Sequence, residues 1–305
     1  MSDDTFPIDP LLPEILRSLE AHPRLVLEAP PGAGKTTRVP PALLAAPWRG
    51  GRRILMLEPR RVAARAAAEF MAAQRGEAVG DRVGYRIRQE AKVSAATRIE
   101  VVTEGILTRM LQDDPMLEDV AALLFDEFHE RHLNADLGLA LALDVQAQLR
   151  PDLRLVVMSA TLDGERIARF LDAPRLSSAG RSYAVSTAHF PALREEALEV
   201  QVRRAVQHAL QQHPGDLLVF LPGQREIARV HKLLDSVLAG DARLPASPRT
   251  RGEETSGVAV LPLHGELPVE QQRAALSTDP HGRRRVVLAT NVAESSVTLP
   301  GVRVV

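Results

Sequence analysis

No cysteine occurs anywhere in the chain, which excludes disulfides and thiolate metal sites and fits a reducing compartment. Aromatic residues make up only 3% of the sequence, too few to build a platform of stacked rings. Phe70 is one ring available for stacking, but its place on a helix reads as core. Neither sign of charge dominates, since the net charge is −1. That balance announces no polyanion partner, although a local basic stripe would suffice for one. Lysine is nearly missing: only Lys35, Lys92 and Lys232 are present, the other basic residues being arginine. No apolar run approaches the ~18 residues that a membrane span requires. The N-terminus, with Asp3, Asp4 and two early prolines, has no signal-peptide pattern. These absences predict a cytoplasmic protein with no membrane partner. A chain of 305 residues, 45% of them hydrophobic, is long enough for about two cores.

The most informative stretch is Arg24–Thr37. Leu25-Val26-Leu27 suits a buried strand, and Pro30-Pro31-Gly32-Ala33-Gly34 follows it almost without side chains up to Lys35. A helical segment then runs from Thr36 to about Ala46, interrupted early by Pro40 and Pro41. Strand, glycine loop, lysine, hydroxyl and helix is the order of a P-loop, in which small residues let backbone N–H groups close on polyphosphate. The helix N-terminus adds partial positive charge below it. Lys35 would bridge the outer phosphates, and the Thr36 hydroxyl would ligate Mg²⁺. Ala29 stands where the usual pattern opens with glycine.

Short apolar strands then alternate with helices. Strands are predicted at 54–57, 99–103, 121–125 and 153–158, and helices at 11–19, 62–73, 104–113, 136–149 and 165–171. Residues 80–88 read as irregular or as an edge strand. The pattern lapses between Ala173 and Phe190 and resumes with helices at 195–212, 224–238 and 268–276 and strands at 217–220, 258–261 and 285–289. A further strand is predicted at 302–305, and 240–257, rich in Pro, Arg, Ser and Gly, reads as a surface loop. Such alternation means parallel sheets covered on both faces, whose ligands sit at the carboxyl ends of the strands. We therefore expect an α/β chain with a first domain at 1–175, a connector at 176–191 and a second domain at 192–305.

Leu123-Leu124-Phe125 ends in Asp126-Glu127, two adjacent carboxylates after a buried strand. Alone this is a common turn. Downstream of a P-loop it fits a metal carboxylate, Asp126, and a water-polarising one, Glu127. His129 alone reads as a core histidine, Arg60-Arg61 as a solvated helix start, and Ser159 and Thr161 as helix caps.

Taken together, Ala29–Thr37, Asp126-Glu127-Phe128-His129-Glu130-Arg131 and Met158-Ser159-Ala160-Thr161-Leu162 resemble the DEAH-type helicases of superfamily 2. Pro59–Ala64, Thr103–Leu107, Phe220–Gly223, Leu263-His264-Gly265 and Thr290–Thr298 match in the family's order, with Phe128 where the family usually has alanine. The resemblance implies two tandem RecA-like domains with ATP and Mg²⁺ between them and single-stranded nucleic acid, RNA ahead of DNA, across their tops. It implies ATP binding by Gly32, Ala33, Gly34, Lys35, Thr36, Thr37, Glu294 and Ser295, with the metal at Thr36 and Asp126. Lys35, Asp126, Glu127 and His129 would be catalytic, and Ser159, Ala160 and Thr161 would couple nucleotide state to domain closure. Nucleic acid would meet Arg60, Arg61, Thr103, Glu104, Gly105, Gly223, His264, Gly265, Thr290 and Asn291. Few aromatics predict backbone-directed binding with little sequence preference. The family's Gln-x-x-Gly-Arg-x-Gly-Arg arginine-finger motif is not in the chain, so the resemblance implies a monomeric fragment with a truncated second domain, binding ATP and turning it over poorly. Alternatives are a P-loop ATPase that remodels proteins and a nucleotide-binding fragment with little activity.

Overall fold

Strands buried on both faces set the architecture. The computed structural model describes residues 5–160, 164–180, 184–238, 257–294 and 299–305, and divides the chain into two units, 1–183 and 184–305. The expected surface loop at 240–257 lies outside the described residues except for Gly257, and Thr161 and Ser295 lie outside them too.

The first unit runs α1 (Leu12–Ala21), β1 (Arg24–Glu28), α2 (Lys35–Leu43), β2 (Arg53–Glu58), α3 (Arg61–Gln74), β3 (Val83–Ile87), β4 (Glu90–Lys92), β5 (Ile99–Thr103), α4 (Glu104–Asp113), β6 (Val120–Phe125), α5 (Leu133–Gln148), β7 (Arg154–Ser159), α6 (Gly164–Leu171) and β8 (Arg175–Ser177). Its eight strands are ordered β4-β3-β5-β2-β6-β7-β1-β8. The period of two divides each strand between two cores. Leu25, Leu27, Ile54, Met56, Leu124 and Met158 pack with α1, α2 and α3, whereas Val26, Leu55, Leu57, Leu123, Phe125 and Val157 pack with α4, α5 and α6.

Several expectations change. The sheet is mixed, because β4 pairs antiparallel with β3. The stretch read as irregular or as an edge holds β3, an interior strand whose other neighbour is the parallel β5. Strand β8 pairs parallel with β1 and carries the first sheet two residues into the stretch read as connector. Helix α2 continues through Pro40 and Pro41 rather than breaking, held by buried Val39 and Leu43. Phe70 is 42% exposed on α3 and is not a core residue.

The second unit runs α7 (Leu198–Gln212), β9 (Asp216–Phe220), α8 (Gln224–Leu238), β10 (Val258–Leu263), α9 (Val269–Leu276), β11 (Arg284–Ala289) and β12 (Val302–Val304). Its strands are all parallel, in the order β10-β11-β9-β12. Its main core joins α7 and α8 to β9 and β11 through Val206, Leu210, Ile227, Val230, Val286 and Leu288. Among the described residues no helix is long and apolar enough to cross a membrane.

Candidate active site

The loop after β1 owes its shape to glycine. Gly32 and Gly34 have φ of 76° and 96°, a left-handed region that side-chain-bearing residues avoid. A Cβ on Gly34 would also stand 3.0 Å from the Phe6 ring, which packs over the loop. Ala29, in the place of a glycine, is buried and donates its amide to Ser159 O at 3.0 Å. Lys35 starts α2 and is only 4% exposed. Its ammonium folds back on the loop, donating to Ala29 O at 2.6 Å and Pro30 O at 3.4 Å. One residue on, the Thr36 hydroxyl donates to Asp126 Oδ2 at 2.5 Å. Buried Ala33 and half-buried Thr37 complete the turn into α2.

Strand parity explains why Thr36 meets Asp126. Ala122 and Leu124 face the core under α2, so Asp126, two residues further, points to the same face. Ile54 and Met56 on the adjacent β2 do likewise, which brings Glu58 beside Asp126. The Asp126 amide donates to Leu57 O at 3.0 Å, continuing the ladder one step beyond the strands. Glu58 is fully buried, and neither carboxyl oxygen has a hydrogen-bond partner. Burial, and then the charges of Asp126 and Glu127, push its carboxyl well above the usual 4.5. A neutral Glu58 can donate a hydrogen bond to Asp126 instead of repelling it.

After Asp126 the chain turns sharply. Glu127, 7% exposed, takes φ of 50° and leads into a short 3-10 turn, Phe128–Glu130. His129 Nδ1 accepts the Ala160 amide at 3.2 Å, which leaves the ring proton on Nε2, 3.4 Å from Glu127 Oε2. Burial, and then the charge of Lys35, lower the His129 pKa from 6.5, so the imidazole is neutral at neutral pH. Ser159, completely buried at the end of β7, lies in register with Glu28.

The residues expected to touch nucleic acid stand at the carboxyl ends of neighbouring strands in each unit. In the first unit, Arg60 and Arg61 follow β2, and Thr103, Glu104 and Gly105 follow β5. Arg61 is exposed, Arg60 pairs with Glu130 at 3.2 Å, and Thr103 holds the N-cap position of α4 without a side-chain capping bond. Glu104 turns inward: it is 9% exposed, its Oε1 is 3.0 Å from His132 Nδ1, and burial raises its pKa against the opposing pull of His132. In the second unit, Gly223, His264-Gly265 and Thr290-Asn291 follow β9, β10 and β11, with Glu294 exposed just beyond. Sequence reasoning missed Glu58 and His132. The signal for Glu58 was present, because a charged residue continuing the buried face of a strand needs a reason to be there.

Both units have counterparts among known proteins. Residues 11–170 match the family model of the DEAD/DEAH box helicase, and residues 201–305 match that of the helicase conserved C-terminal domain. The ATP-dependent RNA helicase HrpB of Escherichia coli is 46% identical over 302 residues, covering 99% of this chain and 35% of that protein. The ATP-dependent RNA helicase HrpA of Borreliella burgdorferi is 30% identical, covering 100% of this chain and 36% of that protein. A crystal structure of the Escherichia coli DEAH/RHA helicase HrpB superposes with a TM-score of 0.86 over 98% of this chain and 36% of its own. The chain thus spans about a third of the length of the curated relatives it matches.

Proposed function

The chain belongs to the DEAD/DEAH box helicases, and from that membership we propose that it binds ATP with Mg²⁺ at the loop after β1 and couples hydrolysis to movement along single-stranded RNA. One observation carries the reading: Thr36 Oγ1 and Asp126 Oδ2 lie 2.5 Å apart beside a buried lysine whose bonding partners are the loop's own carbonyls. A hydroxyl and a carboxylate are hard oxygen donors of the kind Mg²⁺ selects, so the residues fit that ion. Bound there, Mg²⁺ would offset the charge on the phosphate oxygens.

The protein's own groups would do the rest. Lys35 would exchange the carbonyls of Ala29 and Pro30 for phosphate oxygens, and the amides of Gly32, Ala33, Gly34, Thr36 and Thr37 would close around them. Glu127 would orient the attacking water, and the neutral His129 would hold Glu127 in place while linking it to Ala160 after β7. Glu294, just past β11, would also bind the nucleotide. RNA rather than DNA is favoured because the relatives are named RNA helicases. Its backbone would be held by Arg60, Arg61, Thr103 and Gly105 in the first unit, and by Gly223, His264, Gly265, Thr290 and Asn291 in the second. Glu104 would brace its turn from inside. Phosphate-directed contacts of this kind give little sequence preference and a steep salt dependence. We propose that the protein acts as a monomer.

RNA-stimulated ATP hydrolysis tests the reading. Glu127→Gln is expected to lower the stimulated rate by about 10²–10⁴-fold, the range for losing a positioned base, while ATP binding survives. Absence of stimulation by any single strand in the wild-type protein would sink the proposal.

A further inference from the structure

His132 stands just past the carboxylate turn, and both of its ring nitrogens are engaged. Nδ1 lies 3.0 Å from Glu104 Oε1, at the first residue of α4, and Nε2 lies 3.2 Å from Glu130 Oε2, on the carboxylate turn. Glu130 also pairs with Arg60 at 3.2 Å, at the start of α3. The turn after β2, the turn after β5 and the turn after β6 are therefore joined by one chain of polar side-chain contacts. Three of its members are largely withdrawn from water, with side-chain exposures of 16% for Arg60, 13% for Glu130 and 10% for Glu104, while His132 between them is 40% exposed. The Arg60–Glu130 pair, sheltered in this way, resists displacement more than a surface pair does.

The carboxylate turn itself is strained. Glu127 and Arg131, which flank it, are both in the left-handed region, with φ of 50° and 53°. Non-glycine residues persist there only when surrounding contacts over-determine them. The Glu130 amide donates to Glu127 O at 2.9 Å, so the water-orienting end and the Glu130 end move as one piece. A displacement of Glu130 must reach Glu127 through that single turn.

Resting on the proposed helicase reading, we infer that His132 is a positioning residue: a strut between Glu104 and Glu130 through which RNA held at the α3 and α4 starts sets the geometry of Glu127. It touches neither substrate. Its loss would uncouple the two ligands without removing the contacts to either.

Hydrolysis kinetics with His132→Ala and His132→Gln in the full-length protein test this, both variants first being checked for a cooperative melt. The ratio of RNA-stimulated to unstimulated kcat is expected to fall at least tenfold in His132→Ala, while the KM for ATP and the half-stimulating RNA concentration each shift less than threefold. A glutamine amide carries two N–H donors and can span two carboxylates, so His132→Gln should recover part of the ratio. A purely structural role would instead weaken all three quantities together, and glutamine would not rescue the ratio. If His132→Ala fails to melt cooperatively, His132→Gln alone decides: a ratio below that of the wild type with both half-saturation values kept supports the strut. A ratio within twofold of the wild type, or a loss confined to RNA affinity, overturns it. Wild-type protein that RNA does not stimulate would overturn the helicase reading and this inference together, whereas stimulated wild type with an indifferent His132→Ala overturns only the strut.

Discussion

Glu58 and Asp126 point into the same dry space at the ends of adjacent strands, where Asp126 accepts from Thr36 and Glu58 can hydrogen-bond to Asp126 only as a protonated acid. Burying an unpaired carboxylate is so unfavourable that the group takes up a proton instead. The sign of the effect on stability follows. A glutamate whose folded pKa is raised above 4.5 contributes stability that is complete below 4.5 and is lost as the pH climbs through the folded value. Glu58→Gln keeps the shape and removes the titration. In chelator-treated protein its urea midpoint should match the wild type near pH 4.5 and exceed it increasingly as the pH rises. A difference that does not change with pH would contradict this account. At this scale the sequence was legible where chemistry follows from order along the chain, as with Lys35, Thr36 and Asp126. Glu58 escaped because its burial is decided by β6 lying beside β2, 60-odd residues downstream. His132 escaped because nothing local places it against Glu104.

Strand β11 shows how one element can be pinned by its first two residues. Arg284 reaches the end of α7, donating to Leu210 O at 2.7 Å, His213 O at 2.8 Å and Gly215 O at 2.9 Å, so the open carbonyls of that helix terminus gain a cationic cap. Arg285, completely buried, pairs with Asp216 at 2.8 Å and donates to the carbonyls of Ala275, Ser277 and Pro300. One guanidinium thereby joins β11 to β9, to the end of α9 and to the turn entering β12. Arg285→Met removes one partner of a buried pair and should lower the stability of the second unit by about 3–5 kcal/mol, read from its own denaturation transition. An unchanged midpoint would show the pair to be dispensable. Long amphipathic helices such as α4 and α8 were readable from their periodicity because their packing repeats every turn. The three-residue strands β4 and β8 carry no alternation to read, and exist only because β3 and β1 offer a free side. Helix α2 defeats its own prolines because Lys35, Val39 and Leu43 are fixed by burial.

The two units differ in how completely their sheets are covered. Among the described residues, the first has eight strands with a hydrophobic core on each face, and the second has four strands and one principal core. Stability grows with the apolar area removed from water, so urea should unfold the chain in two steps, the second unit first. Proteolysis at intermediate urea, with the surviving fragment identified by mass, should leave the first unit; survival of residues 184–305 alone would reverse the order. The division into two α/β units was legible because apolar strands recur on both sides of a lapse in periodicity. The mixed character of the first sheet was not, because β4 joins it through a pairing that leaves no pattern in the sequence. That small strand has a wider consequence. An eight-stranded sheet ends in two rows of backbone donors and acceptors, open in principle to any extended chain that drifts past. Here one margin is three residues long and bears Glu90 and Lys92, and the other is three residues long and begins with Arg175. Neither offers an incoming strand enough ladder to grip, and each meets it with charge, so a large, deeply apolar sheet is guarded at its borders against becoming the seed of a fibril.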